Sequence, residues 1–384
     1  MRSEQTCAVS VAYLVHNLDD AAVRRRVDLF AMEGLSVGLG GFRRRAATVG
    51  GLTVEHAAHL MMDLGRTTDA RLFQRAMTIL RHLLFPHAIK QVCADASVIV
   101  ARNLEMLILA WRVRSRGQRL IYECLDIHRL LLGTGAASQL MRRIEQRLLA
   151  RTDLVIVSSP AFARAYFDER QGRSEGVLLV ENKVPECLPD HGAAMRPRRE
   201  GGPLVIGWFG MLRCRKTLTQ LGSLARQSRG AMEIVIAGIP SEAEFPQFES
   251  LVSGMPGVRY LGAYQSQDLP KLYAAVDFVW AVDYFEEGLN SDWLLPNRLY
   301  EGLAHGAVPI ALRRVETGRW LRRWGVGILV DDPVAELPVL LGSLTVDDRT
   351  RMRAAIAALP HEALYQTPGE RGAIARAVVG MADE

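Results

Sequence analysis

LLPNRLYEGLAHGAVPIALRR, Leu294 to Arg314, decides how the rest of the chain is read. It predicts a helix followed by a buried strand. Pro296 suits a first helical position, where the N–H has no partner and proline's φ is already set. Gly306 suits the helix end. Within the helix, Leu299, Gly302 and Leu303 share one face and can pack on a sheet, while Asn297, Arg298 and Glu301 share the opposite one. A helix start carries partial positive charge, so Arg298 in the first turn is unfavourable unless an anion sits between. Glu301, one turn further in, can accept hydrogen bonds from sugar hydroxyls. The competing reading is a solvated polar face with an Arg298–Glu301 ion pair.

The same helix–strand alternation runs through most of the chain, the pattern of α/β layers around parallel sheets. AVSVAYLV (8–15), SVGLGGF, ASVIVA (96–101), QRLIYECLD, DLVIVSS (153–159) and GVLLVEN (176–182) read as strands of an amino-terminal domain, 1–184. PECLPDHGAAMRPRREGGP, 185–203, has no period and reads as a linker. The pattern restarts in a second domain, 204–365, with LVIGWFG, MEIVIAG, VRYLGAY, FVWAV and GVGILV as strands and helices over 217–228, 242–253 and 268–276. The tail, 366–384, reads as a helix that crosses back to the first domain. Two such halves predict two doubly wound, Rossmann-like domains with ligands at the carboxyl ends of strands, in a cleft between the halves.

IGWFGMLRCRKTLTQL, 206–221, supplies the second cluster. Gly210 permits close backbone approach. Arg213, Arg215 and Lys216 crowd the turn before a helix start near Thr217, where three cations repel one another without a counter-ion. A diphosphate would neutralise them; a solvated basic turn is the plainer alternative. The stretch is neither G-x-G-x-x-G nor a P-loop.

Bulk properties narrow the classes. The 384 residues are 49% hydrophobic and 23% charged, which is globular. A net charge of +5 over that length does not indicate nucleic acid. All but four of the 47 basic residues are arginines, read either as composition bias or as phosphate contact. Cys7, Cys93, Cys124, Cys187 and Cys214 are scattered, so a reducing compartment and no structural zinc are expected. With no signal peptide and no long apolar run, the expectation is a cytoplasmic protein.

PNRLYEGLAHGAVPI, IGWFGMLRCRK, VRYLGAYQSQDLPKLYAAVDFVW (258–280) and LLVENKVPE (178–186) together resemble the family-4-like glycosyltransferases of GT-B fold, most closely the bacterial exopolysaccharide enzymes. The likeness is strongest over about 150–330. It implies donor-binding roles: Gly210, Arg213, Arg215, Lys216, Asn297 and Arg298 around a nucleotide-sugar diphosphate, Glu301 on the ribose, and Tyr264 with Gln265 at the base. It implies a UDP-sugar donor, a saccharide or lipid-linked acceptor, and no metal or other cofactor. Trp293 stands eight positions before Glu301, where many retaining members carry glutamate; Asp292 and Glu287 are out of register. An inverting transfer is favoured on that ground, and it needs a general base. In YECLDIHRL, 122–130, Asp126 is the first candidate, then His128 and Glu123; Glu105 in NLEML ranks lower, and His16 would line the acceptor site. Capping or ion pairing is the plainer role for Asp126. Rival functions are a sugar-nucleotide 2-epimerase of the same fold and a degenerate partner protein.

RLFQRAMTILRHLLFPHAIKQV, 71–92, spaces Leu72, Phe73, Met77, Leu80, Leu83 and Leu84 helically among Arg71, Arg75, Arg81, His82 and Lys90. It reads either as a core-packed helix or as a basic amphipathic helix on the inner face of the cytoplasmic membrane.

Overall fold

The computed structural model describes residues 10–43, 58–66, 72–186 and 202–381. The chain forms two compact units, one of residues 1–180 with 368–384, the other of residues 181–367.

In the first unit, β1 (Ser10–Val15), β2 (Ser36–Arg43), β3 (Leu60–Arg66), β4 (Val98–Arg102), β5 (Arg119–Cys124), β6 (Leu154–Val157) and β7 (Val177–Leu179) form one sheet in the order β3-β2-β1-β4-β5-β6-β7. Every neighbouring pair is parallel. Residues of β1 and β4 are buried on both faces, so these strands are runs of Val, Ile and Leu rather than alternations. The helix Pro368–Val379 belongs to this unit: Ile374 and Val378 join its core, Arg371 pairs with Glu33, and Arg119 donates to the Ala377 carbonyl. β3 was not expected as a strand.

In the second unit, β9 (Leu204–Leu212), β10 (Met232–Pro240), β11 (Val258–Tyr260), β12 (Phe278–Trp280), β13 (Val308–Leu312) and β14 (Ile328–Val330) form a parallel sheet ordered β11-β10-β9-β12-β13-β14. A small parallel pair, β8 (Val184–Pro185) with β15 (Tyr365–Gln366), adds to it. Strand order reverses direction at β1/β4 in one sheet and at β9/β12 in the other, the points where loops diverge and open a crevice. Of the expected linker, 187–201 lie outside the described residues.

The opening helix runs Asn297–Ala304, with Pro296 as an extended cap, so it begins one residue later than expected. Leu299 and Leu303 pack into the core, and a Cβ on Gly302 would meet a Val279 methyl at 2.5 Å, so glycine lets the helix lie against β12. It closes at Gly306, φ +74°, with the Ala307 N–H on the Gly302 carbonyl and the Gly306 N–H on that of Leu303. The helix expected over 242–253 forms only at Phe248–Ser253.

Candidate functional site

The β9/β12 crevice gathers most of the expected donor residues. Gly210 lies opposite Gly238 in the β9–β10 ladder, and a Cβ on Gly238 would stand 1.8 Å from the Gly210 carbonyl oxygen. Glycine at 238 therefore permits a backbone approach closed to any other residue. After β9 the chain turns at once into the helix Arg215–Gln227, whose cap is Cys214, its sulfur accepting from the Thr217 N–H at 3.4 Å. Arg215 and Lys216 are thus first-turn residues, two positions earlier than expected.

Their side chains diverge. Lys216 pairs with Glu287, which Arg314 also reaches at 2.8 Å, and its ammonium lies 4.1 Å from the Tyr284 ring centroid. Arg215 turns to Glu244 at 3.6 Å and covers the Phe245 ring, apart from that group. Arg213 stacks 4.5 Å over Phe285.

Arg298 faces Asp283 at 3.5 Å and donates to the Val282 carbonyl at 2.9 Å; its Nε is buried and makes no hydrogen bond. The ion pair seen for Arg298 is thus with Asp283, where the competing reading placed Glu301. Burial would push the Asp283 carboxyl up, but Arg298 and Arg213, with hydrogen bonds from Ser291 (2.6 Å) and the Phe285 N–H (2.9 Å), hold it below the usual carboxylate range. In this unit, Asp283 is a residue that sequence reasoning missed. Its signal was there: an acid closing FVWAVD, three residues past the end of β12, the strand beside β9.

Glu301 is 5% exposed, which corrects the exposed-face reading. It accepts from the Tyr273 hydroxyl at 3.3 Å, and its own carbonyl accepts from His305 Nδ1 at 2.7 Å. Tyr273 stacks on His305, and Phe209 joins Tyr273 to Tyr264 by edge-on contacts of 5.1 and 6.5 Å. Tyr264 and Glu301 thus belong to one aromatic wall. Gln265 is exposed and caps the turn Ser266–Asp268. Asn297 is half-buried at the helix start.

In the first unit, Glu123 is fully buried. It accepts from Tyr13 Oη and from Arg26 Nε at 2.7 Å, with Arg102 at 3.8 Å. Despite burial, Arg26 and Arg102 hold its carboxyl below the ordinary range. It is a structural carboxylate, which removes it as a base. Asp126 and His128 are exposed, and it is His128, not Asp126, that caps the next helix, accepting from the Leu130 N–H at 3.2 Å. Glu105 sits half-buried in the first turn of the helix Leu104–Val113.

At the β1/β4 crevice, His16 Nδ1 lies 3.1 Å from the Asn103 amide nitrogen. Asn103 has φ 74° and ψ 162°, a region held almost entirely by glycine, and it precedes a helix without capping it. Sequence reasoning singled out His16 and missed Asn103.

Arg71 lies outside the described residues, and of Arg75 only the backbone is described; Arg81 is exposed. Cys93, Cys124 and Cys214 are free and buried. Among the described residues no helix is long and apolar enough to cross a membrane.

Known structures share this architecture. Sucrose-phosphate synthase from Thermosynechococcus elongatus superposes with a TM-score of 0.68 at 14% identity, covering 97% of this chain and 96% of that one. HepE of Anabaena in complex with UDP superposes with a TM-score of 0.63 at 16% identity, covering 96% and 95%. No protein-family model matches. The sequence itself is 40% identical over 352 residues, 88% of this chain and 85% of the relative, to the succinoglycan biosynthesis protein ExoL of Rhizobium meliloti (strain 1021). The chain belongs to the family of ExoL and has the GT-B fold. In this ExoL-family chain the crevice between β9 and β12 is the part built from cations, and that between β1 and β4 the part built from a strained amide and an imidazole.

Proposed function

We propose that the protein transfers a sugar from a UDP-sugar to a saccharide or lipid-linked saccharide during exopolysaccharide or cell-surface glycan synthesis, as a peripheral protein on the inner face of the cytoplasmic membrane and without a metal. One observation carries the donor half: two carboxylates, Asp283 and Glu287, are each shared by two cations, Arg213 with Arg298 and Lys216 with Arg314. A diphosphate adds the charge such a cluster accommodates, and the buried Arg298 Nε is a donor with an acceptor still to gain. HepE, of the same fold, is known with UDP and with UDP-glucose, and ExoL is named for polysaccharide synthesis.

The acceptor oxygen attacks the anomeric carbon, the bond from that carbon to the diphosphate oxygen breaks, and UDP leaves with the electron pair. Arg213, Lys216 and Arg298, with the approach at Gly210, stabilise the departing charge, the role a metal plays elsewhere. Glu301, held by Tyr273, accepts from the ribose hydroxyls, and Tyr264 flanks the base; Arg215, Gln265 and Asn297 stand at the margin. Asp126 takes the acceptor's proton, with His128 and Glu105 as the alternatives, and His16 contacts the acceptor.

The test is a thermal-shift and calorimetric screen of UDP-, GDP- and CMP-sugars, then transfer assays on lipid-linked acceptors. UDP-sugar binding with transfer supports the proposal. Conversion of the UDP-sugar alone to its C2 epimer would replace it with the epimerase reading, and binding with no turnover would favour a partner protein.

A further inference from the structure

The helix Leu72–Leu84 faces the wrong way for a core helix. Its inward side is Thr78, Ile79, His82 and Leu83, all half-buried. His82 fixes that side, donating from Nε2 to the Leu64 carbonyl at 2.9 Å and lying edge-on to Phe42 at 5.5 Å. Met77, Leu80, Arg81 and Leu84, spaced three and four apart, point outward. Met77 is 50%, Leu80 46% and Leu84 65% exposed, and Phe85, directly after the helix, is 66% exposed. A solvated helix places polar groups at these positions. Here four large apolar side chains share a surface that the described residues of its own unit leave uncovered.

Along the sequence, the charge of this stretch has one sign. No aspartate or glutamate occurs between Asp69 and Asp95, while Arg71, Arg75, Arg81 and Lys90 fall within that stretch. Arg81 and Lys90 are exposed. Apolar side chains flanked by cations with no intervening acid match an anionic bilayer, whose phosphates meet the arginines while the apolar side chains enter the acyl boundary. We infer that the outward face of the helix Leu72–Leu84, extended by Phe85, docks this protein on an anionic lipid surface, with Met77, Leu80, Leu84 and Phe85 inserted and Arg81 and Lys90 on lipid phosphates. This deepens the peripheral-membrane part of the proposed function by naming the surface responsible.

The test is vesicle flotation of the full chain with phosphatidylglycerol or phosphatidylcholine vesicles, at low and high salt and with no glycan acceptor. The wild type should float with phosphatidylglycerol, weakly with phosphatidylcholine, and less at high salt. The double variant Leu84→Glu with Phe85→Glu should lose the partitioning, and Arg81→Glu should lower it roughly thirtyfold, since each basic residue near an anionic surface contributes about one kcal/mol and reversal changes the charge by two. Val339→Glu, at an apolar site 73% exposed in the other unit, should float like the wild type. Indifference to lipid charge, or unchanged flotation of the double variant, would overturn the inference. So would a self-association seen by sedimentation that the double variant abolishes while no vesicle binds, which would give the face to a second copy of the chain. UDP-induced thermal stabilisation in the same preparations shows that each variant is folded. It also separates the two readings: a chain that binds UDP and ignores vesicles loses only the docking surface, and one that floats without binding UDP loses only the donor site.

Discussion

Both units place arginine and carboxylate at the carboxyl end of a parallel sheet, and they use the pair differently. In the first, Arg26 and Arg102 meet Glu123 and Asp20; Glu123 is fully buried, Arg102 is 5% exposed, and Tyr13 binds both Glu123 and Arg102. The charges match one to one and the group is closed. In the second, Glu287 pairs with Lys216 and Arg314, while Asp283 pairs with Arg298 at 3.5 Å and also feels the charge of Arg213, on side chains that range from nearly buried to about half exposed. A matched buried network holds a fold in one arrangement; a network short of anions holds a place for one. Identical residue types thus carry structure at one crevice and, on the proposed function, ligand binding at the other, and what distinguishes them is stoichiometry and exposure.

Breaking the closed network should have the largest effect. Glu123→Ala strands the buried Arg26 guanidinium and leaves Arg102 with Asp20 alone, and loss of one partner of a buried pair costs about 3–5 kcal/mol. Chemical denaturation should show a loss of that size, with UDP affinity of the remaining folded protein unchanged. A loss under about 1 kcal/mol would mean that the first unit's network is as open as the second's.

At the open network the balance should invert. Lys216→Ala removes a cation that is 48% exposed, so stability should move by less than about 0.5 kcal/mol, whereas UDP affinity should fall roughly ten- to hundredfold, the worth of a charge-assisted contact. Arg298→Ala should lose as much affinity and some stability besides, because Asp283 is buried beside it. Lys216→Ala is therefore the sharper probe: unaltered UDP affinity, measured by calorimetry, would remove the diphosphate from this crevice.

A third buried carboxylate belongs to neither class. Glu145 is enclosed by Tyr122, Tyr166 and Gln171, and burial pushes its carboxyl from 4.5 up to about 7, with those donors and Arg142 pulling partly back. The folded state then holds a proton that the unfolded chain releases near 4.5. The resulting stability is fully present below that pH and is lost as pH rises towards about 7, by roughly 3 kcal/mol. Glu145→Gln should flatten the pH dependence of unfolding over this window. A profile identical to wild type would show that Glu145 is ionised in the fold.

The sequence was readable where local chemistry decides the outcome. Parallel strands betrayed themselves as uniform apolar runs, and Gly306 marked a helix end because only an achiral residue suits that turn. The cationic turn stood out because three cations in four residues demand counter-charges, which the fold supplies to Lys216 and Arg215 as Glu287 and Glu244. What escaped were partners far apart in the chain. Arg298 meets Asp283 rather than Glu301, and Glu123 meets Tyr13 across more than a hundred residues. Periodicity can say that Glu301 shares a helix face with Arg298, but whether that face meets water is decided by Tyr273, which the pattern does not contain. Asn103 escaped for another reason: its backbone, not its side-chain type, is the unusual feature.

That residue gives the smallest and most discriminating expectation. Asn103 pays a conformational cost of about 1–3 kcal/mol for its φ and ψ, and its side chain, turned to His16, caps no helix. Glycine adopts the same backbone without strain and keeps the main-chain hydrogen bond to the Glu123 carbonyl. Relief of strain and the greater freedom of glycine when unfolded oppose each other, so Asn103→Gly should change stability by no more than about 1 kcal/mol in either direction. If the strain is kept to aim an amide at His16, transfer should nonetheless slow, chiefly through a higher KM for the acceptor, with donor affinity constant. Asn103→Asp, which retains a hydrogen-bonding side chain, should recover part of it and add a pH dependence through its charge on the imidazole. If Asn103→Gly left acceptor kinetics as they are, the positive φ would be a local accident of the β4 turn, and the crevice of the first unit would have to bind its ligand through other residues.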